Sequence, residues 1–365
     1  MIPINDLSRS YKLFEDEYDQ KALSVLKSGW YILGNEVAEF EKEFAAALGE
    51  DAYAASVDNG LNAIRLGLYA SGIGQGDEVI VQANGYIATM LGIIQNGAVP
   101  VFVDSDKYHN IDADRIEEKI SSKTKAVLVT HLYGMPTKMD RILSLCEKHN
   151  LMLFEDCAQS HFATYNNRAT GLFGKVSFFS FYPTKNLGAF GDGGAVVSKD
   201  KGIIDRIKIL RNYGSEGRYH NVEVGFNSRL DEIQAGLLRV KLLHWKTYLD
   251  NRMHIASRYR NEIHSSRVRL PEIPEGANPI WHQFVVNVEE RDEFRKHMLD
   301  HGIKTDVLYP MPSYLQPALK FLGIERGANP NAEHDCDTVV SLPMMDYMSE
   351  EEISNIIYGV NTFYL

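Results

Sequence analysis

Two stretches of the sequence carry side chains that could do chemistry together. The strand predicted from Leu151 to Glu155 is followed by the carboxylate of Asp156, within the stretch Phe154–Gln159. From Val176 to Phe181 a second apolar run leads into Lys185 and a glycine-rich turn. A lysine directly after a buried strand can be partly desolvated, which lowers its pKa and makes the amine nucleophilic toward an aldehyde. Because ligands of open α/β sheets bind at the carboxyl ends of strands, we expect Asp156 and Lys185 to share a site.

Each of these residues also has an ordinary structural explanation. Asp156 could cap a helix or pair with a surface cation, and Lys185 could be a solvated lysine at a strand end. An amine and a carboxylate at neighbouring strand ends are, however, what pyridoxal 5′-phosphate needs. The amine forms a Schiff base, and the carboxylate raises the pKa of the ring nitrogen so that the cofactor acts as an electron sink.

A phosphate-binding turn and an aromatic ring complete this hypothesis. Gly60 and Leu61 follow a predicted strand and open a helix from Leu61 to Ala70, so free N–H groups at the helix start can bind an anion. Ser180 can add a hydroxyl, and Tyr86, again after a strand, can cover the pyridine face. Turns of this kind often bind nothing, and Tyr86 could simply pack in the core.

Composition and charge exclude several function classes. The chain has 365 residues and a formal net charge of −11 (38 Lys and Arg against 49 Asp and Glu), which argues against a nucleic-acid binder. Its three cysteines form no CxxC pair, so no disulfide framework or metal site is indicated and a reducing compartment is expected. No signal segment or run of apolar residues long enough for a membrane span occurs. We predict a cytoplasmic protein without membrane contact.

Alternating strands and helices predict an α/β sheet followed by a smaller domain. The predicted strands are Ala54–Val57, Glu78–Gln82, Val99–Val103, Ala126–Thr130, Leu151–Glu155, Val176–Phe181 and Gly194–Ser198. A single long helix is predicted from Asp231 to Ile263. After it, a strand (Phe284–Val288), a helix (Asp292–His301) and a short strand (Thr305–Leu308) indicate an α+β unit. We predict a large cofactor-binding domain over residues 1–245 and a small C-terminal domain over residues 246–365.

These stretches together resemble the DegT/DnrJ/StrS nucleotide-sugar aminotransferase family. Further matching stretches are Ser28–Gly34, Arg211–Ser215, Gly225–Ala235 and Tyr309–Pro312, so the resemblance covers nearly the whole chain. The resemblance implies the fold type I (aspartate aminotransferase-like) architecture, with a mostly parallel seven-stranded sheet flanked by helices. It also implies pyridoxal 5′-phosphate as the cofactor.

The resemblance assigns roles to individual residues. Lys185 matches the lysine that binds the cofactor covalently, Asp156 the carboxylate on the pyridine nitrogen, and Gln159 the amide at the 3′ oxygen. The matching phosphate contacts and stacking ring are Gly60, Leu61, Ser180 and Tyr86. Asn227 matches an asparagine that reaches the phosphate from the partner subunit, which implies a homodimer with shared sites.

The substrate class is argued from the lysine segment. Members that aminate C4 of the sugar have Phe-His-x-x-Lys and Gly-Glu-Gly-Gly, whereas this chain has Phe181-Tyr-Pro-Thr-Lys185 and Gly191-Asp-Gly-Gly194. This is similar to enzymes that act on C3 of TDP-3-keto-6-deoxyhexoses, with L-glutamate as the amino donor. Lys185 then serves as covalent anchor and as general base.

Six further residues are candidate substrate contacts. Arg218 is a candidate for the nucleotide diphosphate, although an exposed arginine without a ligand is at least as common. A lone histidine is more often structural than functional, but His161 lies near a strand end, where it could contact the cofactor or the sugar. The candidates are His161, Tyr182, Arg218, Tyr219, Arg229 and Tyr309.

Other functions stay open at this point. An aminotransferase acting on a TDP- or UDP-4-keto-6-deoxyhexose and a non-catalytic regulator on the same scaffold are the alternatives. Retention of Lys185 argues against the regulator and against the sugar dehydratases of the family, in which histidine replaces that lysine. A short-chain NAD-dependent dehydrogenase needs Tyr-x-x-x-Lys, and Tyr182 is one residue too close to Lys185.

Overall fold

The architecture is a large sheet between two layers of helices. It is seen in a computed structural model that describes residues 1–363. The described strands are β1 (Tyr53–Val57), β2 (Glu78–Gln82), β3 (Val99–Val103), β4 (Thr124–Thr130), β5 (Met152–Asp156), β6 (Thr164–Tyr165), β7 (Arg168–Ala169), β8 (Val176–Ser180), β9 (Gly194–Ser198), β10 (Ser215–Gly217), β11 (His220–Asn221), β12 (Ala277–Asn278), β13 (Phe284–Asn287) and β14 (Val339–Leu342). The described α-helices are α1 (Leu7–Lys12), α2 (Glu15–Ser28), α3 (Asn35–Leu48), α4 (Gly60–Ala70), α5 (Ile87–Ile94), α6 (Met139–Lys148), α7 (Lys201–Leu210), α8 (Glu232–Leu243), α9 (Trp245–Glu262), α10 (Arg291–Asp300), α11 (Pro330–Thr338) and α12 (Glu350–Asn361). Short 3-10 helices connect them at Ala113–Arg115, Glu117–Lys119, Leu132–Gly134, Ser313–Leu315 and Pro317–Leu322.

The large sheet has the strand order β1-β9-β8-β5-β4-β2-β3. Only β9 runs antiparallel to its neighbours β1 and β8, and the other pairs are parallel. The carboxyl ends of β1, β2, β4, β5 and β8 therefore lie at one edge of the sheet. The prediction of a mostly parallel sheet of seven strands is confirmed, because all seven strands predicted for this sheet are present.

Alternating side chains of the strands build hydrophobic cores on both faces of the sheet. Leu128, Phe154 and Phe178 pack against α4, α5 and α7 on one face, whereas Val127 and Phe179 belong to the cores of the other face. This period of two is what a strand buried on both faces requires. Complete burial of a side chain such as Phe178 contributes about 1.5–3 kcal/mol.

Two predictions about the C-terminal half are wrong in detail. The helix predicted from Asp231 to Ile263 is two helices, α8 and α9, which break at His244. The His244 ring stacks on Phe14 at a centroid distance of 3.7 Å, and its Nε2 lies 2.9 Å from Glu17. These contacts with the N-terminal helices fix the break, and a single-helix pattern cannot anticipate them. The strand predicted at Thr305–Leu308 is reduced to one bridge between Asp306 and Ser341.

The C-terminal residues form a core of their own around the β13–β14 pair. This core is made mostly of residues from Ile255 to Phe363, and Ile2 from the chain start packs against it. Tyr314 and Leu319, by contrast, pack into the core of the large sheet. The domain boundary at residues 245/246 stays a prediction, and residues 364 and 365 lie outside the described residues.

None of the described helices is long and apolar enough to cross a membrane.

Candidate active site

A cavity of about 530 Å³ opens at the carboxyl edge of the large sheet. Its residues follow β1, β2, β4, β5 and β8, and a few come from the segment that joins β12 to β13 and from the loop before Pro310. They are Asn59, Gly60, Leu61, Ile64, Tyr86, Ile87, Ala88, Thr89, Leu91, Thr130, Leu132, Asp156, Ala158, Gln159, Phe178, Phe179, Ser180, Tyr182, Thr184, Lys185, Asp192, His282, Gln283, Leu308 and Tyr309. The cavity therefore joins most of the residues singled out in the sequence.

Lys185 lies in the connection that leaves β8 and returns as β9. The connection is closed at its base by a hydrogen bond from Phe181 N to Gly193 O of 2.7 Å, and Lys185 N donates to Tyr182 O at 2.8 Å. Burial lowers the pKa of the Lys185 ammonium to about 8, and the negative charge of Asp156 opposes this shift. A larger share of the amine is therefore neutral near pH 7 than in an ordinary lysine, and the neutral amine is the nucleophile.

Asp156 is the last residue of β5 and is buried. Its Oδ2 accepts a hydrogen bond of 2.7 Å from the Thr89 hydroxyl, and its Oδ1 accepts one of 3.0 Å from Ala158 N. Burial raises the pKa of Asp156, whereas the two hydrogen bonds and the nearby positive charge of Lys185 lower it. The donors thus favour the charged carboxylate and oppose the effect of burial.

An anion cradle is formed where α4 begins. The Asn59 side chain caps the helix by accepting from Asn62 N at 2.8 Å. The N–H groups of Gly60 and Leu61 have no intrahelical partners because these residues begin the helix. A Cβ on Gly60 would lie 2.7 Å from Ser180 Cβ, and one on Gly194 would lie 2.5 Å from the Asn59 carbonyl. Glycine at both positions lets α4, β8 and β9 converge, as phosphate binding at a helix start requires.

Two tyrosines and an amide form a wall of the cavity. The rings of Tyr86 and Tyr309 stack with centroids 5.2 Å apart and an interplanar angle of 26°. Gln159 Nε2 donates to the Tyr309 hydroxyl at 3.2 Å, and Gln159 Oε1 accepts from Tyr133 N at 2.6 Å. Gln159 is thereby fixed with its amide between the end of β5 and Tyr309.

These residues fit pyridoxal 5′-phosphate. Gly60, Leu61 and Ser180 would hold its phosphate, Asp156 its ring nitrogen, Tyr86 a face of its ring and Lys185 its aldehyde carbon. When bound, this cofactor supplies an electron sink for a carbanion at the substrate. The cavity contributes an amine of lowered pKa and a buried carboxylate for that purpose.

His161 lies outside this cavity. Its ring contacts Phe179 and Phe181 at centroid distances of 5.5 and 5.8 Å, and neither ring nitrogen has a hydrogen-bond partner among the described residues. It faces a separate space of about 20 Å³ that is also lined by Asn186 and Arg252. Burial, with the positive charge of Lys185, lowers the pKa of His161 to about 3, so the ring stays neutral.

The other predicted substrate and partner contacts fall into two groups. Tyr182 and Tyr309 line the cavity. Residues 212–229, which we call the hairpin arm, include the β10–β11 ribbon and do not line it. Arg218 stacks on the ring of Tyr219, which is 89% exposed, with 5.1 Å between its Cζ and the ring centroid. Asn227 is also exposed, and Arg229 donates to Asn212 at 3.0 Å. Within one chain these arm residues therefore stay apart from the cavity, and their roles in binding substrate or the partner's cofactor stay predictions.

Three residues near the cavity were missed by the sequence analysis. Thr89 contacts Asp156, and its position one turn after Tyr86 at a predicted strand end was a usable signal. His282 lines the cavity, and its Nδ1 lies 2.9 Å from Oδ1 of Asn186, the residue after Lys185. Asn186 Nδ2 also donates to Ile280 O at 3.1 Å. The contacts of His282 and Asn186 join distant parts of the chain, and no local pattern indicated them.

A buried cluster beside the cavity has the side chains of a metal site. His131, Glu155 and Cys157 bring their donor atoms within 4.8 Å of one another. Glu155 Oε1 already accepts from the backbone N–H groups of Phe173 and Gly174, and His131 Nε2 lies 3.1 Å from Glu155 Oε2. Burial raises the pKa of the Cys157 thiol well above its ordinary value. The cluster therefore ties strand ends together and has few free ligand atoms.

Comparison with known proteins identifies the family. The family model of the DegT/DnrJ/EryC1/StrS aminotransferases matches residues 13–361. A dTDP-3-amino-3,6-dideoxy-alpha-D-galactopyranose transaminase of Aneurinibacillus thermoaerophilus is 43% identical, and the alignment covers 100% of this chain and 99% of that protein.

Solved structures agree with this result. DesV of Streptomyces venezuelae, in complex with a ketimine intermediate, matches with a TM-score of 0.97 and 40% identity over 99% of this chain and 98% of that one. NtdA of Bacillus subtilis, with bound cofactor PMP, has a TM-score of 0.87 and 28% identity over 94% of this chain and 80% of that one. The fold and the aminotransferase class expected from the sequence are confirmed, and the chain belongs to the DegT/DnrJ/EryC1/StrS aminotransferase family.

Proposed function

We propose that this enzyme uses pyridoxal 5′-phosphate to transfer an amino group from L-glutamate to C3 of a TDP-3-keto-6-deoxyhexose. The product is the TDP-3-amino-3,6-dideoxyhexose. The observation that carries the proposal is the placement of Lys185, with its lowered pKa, in one buried cavity with Asp156. The names of the relatives and their similarity to this chain support the proposed sugar substrate and amination at its C3.

The residues of the cavity have different roles in the proposed reaction. Nζ of Lys185 anchors the cofactor and, once released, takes the proton from Cα of the amino donor and later returns a proton to C3 of the sugar. Positioned proton transfer of this kind contributes about 10² to 10⁴ in rate. Asp156 holds the proton on the ring nitrogen, and the wall of Tyr86 and Tyr309 orients the ring and keeps water from one side.

A second copy of the chain completes the site in this proposal. Lys185 is the only lysine or arginine among the described residues that line the cavity, whereas Asp156 and Asp192 add negative charge. The cofactor phosphate, the dicarboxylate donor and the nucleotide diphosphate all need positive partners. We infer a homodimer in which the hairpin arm of one subunit reaches the other's cavity, with Asn227 at the phosphate and Arg218 at the diphosphate. Tyr219 and Arg229 would then contact the substrate from the partner.

The compartment is inferred from the thiols. All three cysteines are free and buried, which suits a reducing environment, and we place the reaction in the cytoplasm.

One experiment tests the reaction and its position on the sugar. The purified protein is incubated with pyridoxal 5′-phosphate, L-glutamate and, separately, 3-keto and 4-keto forms of TDP- and UDP-6-deoxyhexoses. Mass and proton spectra of the products show whether and where nitrogen has entered. Amination of the TDP-3-keto sugar at C3 is expected. Amination of 4-keto sugars alone would contradict the position, and amination of none would favour the non-catalytic regulator.

A further inference from the structure

The Thr89 hydroxyl contacts Asp156 at the base of the cavity. Its Oγ1 lies 2.7 Å from Asp156 Oδ2, and the two residues are only 1% and 5% exposed. Both line the cavity. A hydrogen bond to a charged group in such a water-poor setting is stronger than one at the surface.

The position of Thr89 is fixed by its helix. Thr89 lies in the first turn of α5, where its N–H donates to Tyr86 O at 3.1 Å. The same turn therefore carries the tyrosine of the cavity wall and the threonine on Asp156. A β-branched side chain in a helix has few allowed rotamers, so the hydroxyl is held in place.

Asp156 needs such a partner because of its surroundings. Burial raises the pKa of Asp156, and among the groups that oppose this shift the Thr89 hydroxyl is foremost, ahead of Ala158 N–H and Lys185. In the proposed reaction Lys185 binds and leaves the cofactor in each turnover, so its charge beside Asp156 changes. The bonds from Thr89 and from Ala158 N–H do not depend on that cycle.

We propose that Thr89 is a positioning residue whose hydroxyl holds the Asp156 carboxylate in the orientation that receives the protonated ring nitrogen of the cofactor. The inference rests on the proposed function and deepens it. In the proposed reaction Thr89 contacts neither Lys185 nor the sugar, and it acts only through Asp156.

The test compares Thr89→Val, which keeps the shape and removes the hydroxyl, with Thr89→Ser, which keeps the hydroxyl. The first measurement is the dissociation constant of pyridoxal 5′-phosphate. We expect the Val variant to bind it about tenfold more weakly, since a hydrogen bond to a charged group is lost. The Ser variant is expected to bind it nearly as tightly as the wild type.

The second measurement is the pH titration of the visible absorbance of the Lys185-bound cofactor. A protonated ring nitrogen lowers the pKa of the nearby imine nitrogen by charge repulsion. If Asp156 holds that proton less well, the midpoint of the titration moves to higher pH in the Val variant, by about one unit. A change in packing alone would alter thermal stability without moving this midpoint.

The outcomes distinguish failure of the proposed function from failure of the role proposed for Thr89. A wild-type protein that never develops the visible band would end the proposed function itself. If the wild type binds the cofactor while Thr89→Val keeps the affinity and midpoint of the wild type, only the role of Thr89 is refuted. Equal shifts in the Val and Ser variants would also refute it, because the hydroxyl would then be irrelevant. Should Thr89→Val not fold, Thr89→Ala takes its place with the same expected shifts.

Discussion

The base of the cavity and the hairpin arm contrast in how completely one chain builds them. At the base, Lys185, Asp156 and Ser180 stand at ends of neighbouring strands, with hydrogen-bond donors already on the carboxylate. In the arm, Arg218 and Asn227 are exposed and do not line the active-site cavity of their own chain. The base has the groups for cofactor chemistry, and the arm has the positive charge and amide that anionic ligands need.

The groups at the base are assembled by folding of one chain, whereas the proposed roles of the arm require a second copy. Strand ends of one sheet are brought together by the fold itself, so the reacting groups need no partner. Groups on an exposed arm gain a role only when another molecule covers them. The experiments that follow test this division, beginning with the largest expected effect.

Removal of the lysine amine should stop the reaction. In Lys185→Ala we expect turnover to fall by at least about 10² to 10⁴, because anchor and general base are both lost. Cofactor should still bind in part through the phosphate cradle and Asp156. Turnover is measured as 2-oxoglutarate formed from glutamate, and appreciable turnover in this variant would exclude Lys185 as the reacting amine.

Mixed dimers test whether the arm serves the other subunit. Arg218→Ala should raise KM for the nucleotide sugar about tenfold or more while kcat changes little, since a charge-assisted contact to the diphosphate is lost. When Lys185→Ala and Arg218→Ala chains are mixed, one site in each mixed dimer has both native groups. At sugar concentrations below KM, activity should then rise to roughly one quarter of that of the wild type, as random pairing of the subunits predicts.

The same mixing experiment has a clear contrary result. If activity after mixing equals only the average of the two unmixed variants, then Lys185 and Arg218 do not serve one site across the interface. Arg267→Ala is a suitable control, because Arg267 is an exposed arginine outside the arm and is not among the cavity residues.

The pH at which Lys185 captures the cofactor should reflect burial of its amine. The protonated lysine cannot attack an aldehyde, so the capture rate should rise with pH and level off above a midpoint near the pKa of about 8. In apo protein the unfolded chain binds more protons than the folded one between this value and the ordinary pKa of lysine, so the stability that burial of this amine costs is regained as pH rises through that window. Stopped-flow absorbance measures the midpoint, and a value near that of free lysine would show that burial does not tune the amine.

The smallest effect is expected at His161. Its neutral ring packs on Phe179 and Phe181, and its nitrogens have no hydrogen-bond partner among residues 1–363. We therefore expect His161→Phe to leave KM and kcat within about twofold and to keep or raise thermal stability. His161→Phe is measured beside Tyr182→Phe, which alters a residue that does line the cavity. A large loss of sugar affinity in His161→Phe alone would restore the prediction that His161 contacts substrate.

Much of the fold could be predicted because its signals are local. Each strand of the large sheet is a short apolar run, and the ends of β5 and β8 are marked by Asp156 and Ser180. The reversed direction of β9 leaves no mark in its own sequence, since its side chains are buried like those of a parallel strand. The break at His244 depends on Phe14 and Glu17, which are distant in the chain.

The site was predictable to the same extent. Asp156 ends β5, and Lys185 and Tyr86 lie in the connections that follow β8 and β2, so their positions follow from the sheet. His282 comes from the C-terminal half and reaches the cavity through contacts such as its bond with Asn186. Whether Arg218 and Asn227 act on a partner depends on an assembly, and a pattern within one chain does not contain that information.

The reversed strand β9 has a consequence for how such enzymes diversify. The segment from residue 181 to residue 193 leaves the sheet and re-enters it beside the strand that it left, and a backbone hydrogen bond joins its two ends. Because this segment joins two adjacent strands directly, a change within it displaces no crossover helix, although its bonds to Ile280 and His282 tie it to the C-terminal half. Swapping the segment would change the surroundings of the reactive amine while the rest of the scaffold stays as it is.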